Sequence, residues 1–178
     1  FTSFASLSED AYQRTITING LSKSAAMTGW RFGYIATPKQ EIITALKKLQ
    51  SQSVSNITSI VQKAAIPALD GTIDDDIEFM RKTFEKRRDL AVNALNAIEG
   101  ISVVVPSGAF YLFVNIKNIC EDSMLFCKEL LEDAGVAVVP GIGFGVDGYF
   151  RFSYATDEKS IIEGIKRIAS FVEKRYRK

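Results

Sequence analysis

The sequence predicts an α/β protein whose second half is a compact two-layer unit with a mostly antiparallel sheet. Three observations carry this expectation. From Ile101 onward, short β-branched or alternating segments and longer segments of helical spacing follow in the order β, β, α, β, β, α. Just before them, Asp74 to about Ile98 forms one long amphipathic stretch, with acids at its front and Gly100 behind it. Earlier still, two strand-like segments, "RTITING" and "GWRFGYIAT", lie either side of a run of small and hydroxylated residues.

Taken in order, "RTITING" alternates β-branched with polar residues and ends in Asn-Gly, the signature of a strand running into a turn. "GWRFGYIAT" is a second strand. Pro38 suits the first turn of a helix, in which Ile42, Ile43, Leu46 and Leu49 recur at helical spacing to about Gln50. Residues Ser51 to Ser59 read as a polar connection. Ile60 to Leu69 reads as a helix closed by Asp70-Gly71. After the long helix come the strands "ISVVVP" and "AFYLFVNI", separated by Pro106, Ser107 and Gly108. A helix from about Ser123 ends at Gly135, and "VAVVP" is a short strand. "GIGFGVDG" is a glycine-rich loop and "YFRFSYA" a last strand. A final helix with Asp157 as N-cap runs to the basic terminus.

Composition narrows the function. With 178 residues, 47% apolar and 24% charged, the chain can bury a core of ordinary globular size. Its 22 basic and 21 acidic residues are mixed, apart from the terminal "EKRYRK", which argues against nucleic acid as a partner. No apolar run approaches the roughly 20 residues needed to span a bilayer, and no secretory pattern opens the chain, so a soluble protein is expected, without a membrane partner. Cys120 and Cys127, placed in one expected helix, would stand about 10 Å apart, too far for a disulfide, which suits a reducing cytoplasm. There is no histidine, which excludes Ser-His and Cys-His catalysis and leaves proton transfer to Lys, Tyr, Asp, Glu or a cofactor. The chain opens at Phe1 rather than methionine and reads as a piece of something longer.

The chemistry concentrates in "NGLSKSAAMTGWRFGY", residues 19–34, which holds Lys23 and Arg31 and no acid. Taken alone, Lys23 reads as a solvent-facing turn lysine. Its setting says more: two strands flanking one turn bring Lys23 and Arg31 to the same edge of a sheet, with the hydroxyls of Ser22, Ser24 and Thr28 nearby. A guanidinium with hydroxyls and freed backbone N–H groups receives a phosphate dianion, and a lysine amine condenses with an aldehyde. Pyridoxal phosphate is an aldehyde carrying a phosphate.

This segment closely resembles the lysine segment of class I aminotransferases, the pyridoxal-phosphate enzymes of fold type I that include aspartate and aromatic aminotransferases. Ser-Lys, then Ala-Met-Thr-Gly-Trp-Arg, then Gly-Tyr is a specific combination; many relatives carry an aromatic residue where Ala25 stands. The resemblance extends over "SVSNITSIVQKAAIPAL", "PSGAFYLFVNI", "VAVVPGIGFG" and "FRFSYA". It implies Lys23 as the catalytic Schiff-base lysine, Arg31 and Ser22 as phosphate ligands, and Arg151 as the residue that grips the substrate's α-carboxylate. Without that context Arg151 would read as an edge-strand cation facing water. The glycine-rich loop lacks both P-loop and dinucleotide patterns and reads as a flexible active-site loop.

By the same resemblance, residues 1–50 are the end of the large cofactor domain, 51–100 connecting helices including a long interdomain helix, and 101–178 a small α/β domain. The family's groups that hold the cofactor ring precede the lysine. Asp10 and Tyr12 do not fit their pattern, so the chain resembles the C-terminal half of such an enzyme. The activity implied is transfer of an amino group between an amino acid and a 2-oxo acid. Aspartate with 2-oxoglutarate comes first, aromatic amino acids or prephenate next, in a homodimer with Ser55 and Asn56 near the subunit boundary. A non-catalytic aminotransferase-like binding module and a lyase of the same fold are the competing expectations.

Overall fold

A computed structural model describes residues 1–177, and the chain separates into two compact units, 1–79 and 80 onward. The first unit opens with a 3-10 turn at Phe4–Ser6 and a short helix α1, Glu9–Arg14, which the strand-based reading of this end did not anticipate. Its signal was nevertheless present. Ser8 accepts a hydrogen bond from the Ala11 N–H at 3.0 Å, Glu9 and Asp10 fill the first turn, and Arg14 in the last turn pairs with Asp10.

Strands β1, Thr17–Gly20, and β2, Gly33–Ala36, pair antiparallel with Gly20 opposite Gly33. The connection between them is not a simple turn. The chain passes from extended Gly20 into one turn of helix, α2, Leu21–Ser24, and then a 3-10 turn, Thr28–Trp30. The Met27 N–H returns to the Leu21 carbonyl at 3.2 Å, folding the loop so that Leu21 and Met27 are buried together. They pack with Ala65 of α4, Ser59–Ala65, and the small side chains of Ala25, Ala64 and Ala68 let these backbones approach. Helix α3, Gln40–Ser53, starts two residues after Pro38 and runs three residues beyond the expected Gln50. Helix α4 stops short of the expected Leu69. Pro67 has no N–H to continue the ladder, and the N–H groups of Leu69 and Asp70 instead close turns on the Ile66 carbonyl at 2.9 and 3.0 Å.

Helix α5, Asp74–Asn96, carries three aspartates in its first turn, where the helix dipole favours negative charge. Its residues from Met80 belong to the second unit, which continues as β3, Ser102–Val103; β4, Tyr111–Asn115; α6, Ser123–Ala134; β5, Val139–Pro140; β6, Tyr149–Ser153; and α7, Glu158–Tyr176. The sheet order is β3-β4-β6-β5, antiparallel at every pairing, as the sequence led one to expect of this half. Strand β3 is shorter than the "ISVVVP" segment. Asn96 caps it by taking both backbone groups of Val103, accepting from its N–H at 2.8 Å and donating to its carbonyl at 3.2 Å.

One face of the sheet carries Leu112, Val114, Phe150 and Phe152 into a core completed by Ala91, Val92 and Leu95 of α5, Phe126 and Leu130 of α6, and Ile161, Ile165, Ile168, Phe171 and Val172 of α7. The helix ends expected from the sequence are present: Gly135 takes the left-handed conformation after α6, and Asp157 accepts from the Ser160 N–H at 3.0 Å before α7. Cys120 lies in the turn ahead of α6 rather than on the helix, and both it and Cys127 are free thiols. Burial pushes the Cys127 thiol up to about 12. Among the described residues, no helix is long and apolar enough to cross a membrane.

Phe126 sits fully buried where this core converges, stacked on Phe150 at 5.6 Å and edge-on to Phe171 at 5.5 Å. Phe126→Ala is expected to lower stability by about 3–5 kcal/mol through lost burial and a residual cavity. Urea unfolding followed by circular dichroism measures this; a loss under about 1 kcal/mol would contradict the packing described.

Candidate functional site

Each unit carries one chemically loaded surface. In the first, the ribbon register fixes the geometry. Gly20 and Gly33 face each other at the end of β1 and β2, so Ser22 and Lys23, just past one, and Arg31, just before the other, emerge from the same end of the ribbon. The loop between them is cross-tied. The Thr28 hydroxyl donates to the Ser22 carbonyl at 2.8 Å, and Arg31 Nη1 donates to the Thr28 carbonyl at 2.9 Å. That bond orients the guanidinium and uses one of its five N–H donors. Ala26 and Arg31 both have positive φ, 53° and 54°, so the loop holds two non-glycine residues in the left-handed region. Lys23 and Arg31 are exposed, Ser22 half-buried. Between Asp10 and Glu41 there is no acidic residue, so no carboxylate of this stretch competes for these cations. Asp10 is engaged with Arg14 on α1.

The second surface is the sheet face turned away from the helices. Strand alternation sends Tyr111 and Phe113 of β4 and Tyr149 and Arg151 of β6 to this side. Strand β6 lies between β4 and β5, so Arg151 is on an interior strand, which removes the alternative of an edge-strand cation. It stands opposite Phe113, and its guanidinium leans along the sheet until its carbon is 4.2 Å from the Tyr111 ring centre and 5.0 Å from that of Phe144. Among the described residues no carboxylate pairs with it. A shallow concavity of about 320 Å³ is lined by Tyr111, Phe113, Phe144, Val146 and Arg151.

Two flanking loops build this face. The 3-10 turn Gly141–Phe144 carries Phe144, and Gly141 is required there because a Cβ would come within 2.7 Å of the Tyr149 carbonyl oxygen. The turn is fastened to α6: fully buried Ser123 accepts from the Ile142 N–H at 3.2 Å, while Asp147 accepts from the Ser123 and Gly148 N–H groups at 2.8 and 3.0 Å. The Ser123 hydroxyl and then the Ser123 and Gly148 N–H groups hold the Asp147 carboxyl below its ordinary range. On the other side, buried Tyr154 donates its hydroxyl to the Ala109 carbonyl at 2.8 Å, and its N–H bonds the Phe110 carbonyl at 3.0 Å. This fixes the loop that enters β4 at Tyr111.

Lys23, Ser22, Arg31 and Arg151 were all singled out from the sequence. Phe144, Ser123, Asp147 and Tyr154 were not. The glycine-rich segment gave a loop but no sign that its phenylalanine would reach an arginine, a relation set by sheet register. A larger concavity, about 460 Å³, lies on the surface where α6 meets α7. Its arginines are already paired, Arg167 with Glu163 within α7 and Arg175 with Glu129 of α6.

Comparison with known proteins shows the family. Residues 2–168 match the family model described as aminotransferase class I and II. Over 179 residues the chain is 46% identical to the asparagine–oxo-acid transaminase of Streptococcus mutans, covering 98% of this chain and 45% of that protein. It is 45% identical to a probable aspartate/prephenate aminotransferase of Aquifex aeolicus, covering 97% of this chain and 45% of that protein. Among solved structures, the aspartate aminotransferase from Rhizobium meliloti superposes with a TM-score of 0.91 at 43% identity, over 97% of this chain and 45% of that one. The aromatic aminotransferase from Pyrococcus horikoshii gives 0.85 at 39% identity, over 93% and 44%. The chain thus spans about 45% of the length of the curated relatives named here.

The Asp147 tie predicts a pH signature. A carboxyl held below its ordinary value of 3.8 stabilises the fold fully above that value and loses its contribution as pH falls through the lower folded value. Asp147→Asn, which does not titrate, should therefore be less stable than the parent at about pH 6, with the gap closing as the solution is acidified below 3.8. Thermal unfolding of both proteins across that range checks it; a gap that widens on acidification would contradict the assignment.

Proposed function

The chain belongs to the aminotransferase class I and II family, and on that premise we propose that it is the carboxy-terminal portion of a pyridoxal-phosphate-dependent aminotransferase. The observation that carries the reading is the ribbon end where an amine, a guanidinium and a hydroxyl emerge together. Its donor set fits the cofactor: Arg31 and the Ser22 hydroxyl would hold the phosphate, and Lys23 would meet the aldehyde. When bound, pyridoxal phosphate supplies an aldehyde that condenses with amines and an electron-withdrawing ring that eases removal of the α-proton.

Three side chains of this chain contribute to the remaining chemistry. Arg31 presents N–H donors from a guanidinium already oriented by the Thr28 carbonyl. The Lys23 amine takes the proton from the α-carbon of the incoming amino acid and returns one to the same position when a 2-oxo acid is converted in the opposite direction, acting as base and then acid. Arg151 receives the α-carboxylate through two parallel N–H bonds, a planar recognition that a lysine cannot reproduce.

In this reading L-aspartate and 2-oxoglutarate are the first substrate pair, with aromatic amino acids or prephenate next. The names of the relatives, which include aspartate, asparagine, aspartate/prephenate and aromatic transaminases, support that range. The whole protein would be a cytoplasmic homodimer in which residues 1–50 close the cofactor domain, 51–100 connect, and 101–178 form the small domain.

In the holoenzyme, Lys23→Ala is expected to abolish transamination and the near-visible absorption of the bound cofactor. Persistence of an unchanged absorption band in that variant would overturn the role given to Lys23. The 178-residue chain by itself is expected to show no transamination of aspartate with 2-oxoglutarate, since the relatives devote more than half their length to segments outside it. A coupled assay on the purified chain checks this, and sustained turnover would refute it.

A further inference from the structure

Arg151 has a built seat. Its guanidinium carbon lies 4.2 Å from the Tyr111 ring centre and 5.0 Å from the Phe144 ring centre, although its register partner is Phe113. An arginine opposite Phe113 on an open sheet face could extend into water, where its long side chain would sample many rotamers. Here it lies along the sheet instead. Each ring that carries it is anchored independently: Tyr111 by the Ala109 loop that Tyr154 fastens, and Phe144 by the turn that Ser123 and Asp147 fasten and by edge contact with Phe113 at 6.0 Å.

We propose that Tyr111 and Phe144 are positioning residues that hold the Arg151 guanidinium on its faces, leaving its N–H edges for a substrate carboxylate. This rests on the assignment of Arg151 to that carboxylate. Aromatic faces attract the cation but cannot accept its in-plane N–H groups as a carboxylate can, so the seat fixes orientation without occupying the binding edge. The Tyr111 hydroxyl has no part in this: the ring is what matters.

The test is affinity of the holoenzyme for succinate, a non-reacting dicarboxylate, measured by calorimetry, alongside KM and kcat for aspartate. Tyr111→Leu and Phe144→Leu should each weaken succinate binding and raise KM about tenfold while kcat changes much less, and Tyr111→Phe should restore parental values. Arg151→Gln serves as the reference for loss of the carboxylate contact. If it weakens binding but both leucine variants bind within twofold of the parent, the seat is overturned and the role of Arg151 stands. If Arg151→Gln binds succinate as the parent does, the assignment of Arg151 fails and the seat with it. Should Tyr111→Leu lose its fold by circular dichroism, Phe144→Leu decides, since Phe144 lies on a partly exposed turn; unchanged affinity there overturns the proposal.

Discussion

The pairing of β4 with β6 is the constraint on which the second unit depends. Tyr111 lies opposite Ser153 and Phe113 opposite Arg151, so the two-residue alternation of both strands runs in phase. Leu112, Val114, Phe150 and Phe152 then share the helical face, while Tyr111, Phe113, Tyr149 and Arg151 share the other. A slip of one residue would bury Arg151 among α5, α6 and α7 and expose two phenylalanines. The core therefore enforces the register, and the register delivers the arginine. Neither face could be specified without the other.

The same logic explains why the polar groups near this face sit below it. Ser123 is fully buried, yet its hydroxyl and N–H are both engaged, by Ile142 and Asp147. Tyr154 is buried and bonded to Ala109. These satisfied groups do not add greatly to stability, since each bond replaces one to water. What they add is direction, because a loop fastened at a buried hydrogen bond has one arrangement rather than several. The aromatic side chains that stand on those loops inherit that order.

Periodicity and caps made the second unit largely legible from the sequence. Helices α5, α6 and α7 have long apolar stripes and punctuating residues, Asp157 and Gly135 among them, that act within a few positions of themselves. The first unit was less legible because its decisive elements are too short for periodicity to register. Helix α2 is four residues long and α1 six. Helix α4 looked longer than it is because apolar spacing continues past Ala65 into a segment that Pro67 turns aside. The candidate residues Lys23, Ser22 and Arg31 were singled out through a combined motif, and Arg151 through the likeness of "FRFSYA" to the family. Phe144 was not, since its partner Arg151 is brought to it only by folding.

The backbone offers independent reason to look where the motif pointed. Among the described residues, four non-glycine residues adopt positive φ: Ala26, Arg31, Ser55 and Ala109. Each costs on the order of 1 kcal/mol relative to a right-handed conformation, so unconstrained loops would be expected to avoid them or use glycine. Two lie in the loop between Lys23 and Arg31, and a third in the loop that leads into Tyr111. Each of these three is held by a specific bond: the Met27 N–H closes over Ala26 onto the Leu21 carbonyl, the Arg31 side chain donates to the Thr28 carbonyl, and the Ala109 carbonyl accepts from the Tyr154 hydroxyl. Ala26 shows why the strain is kept. A relaxed backbone there would carry Met27 out of its contact with Leu21 and Ala65, and the ribbon end that presents Lys23 and Arg31 together would lose the packing that holds it closed.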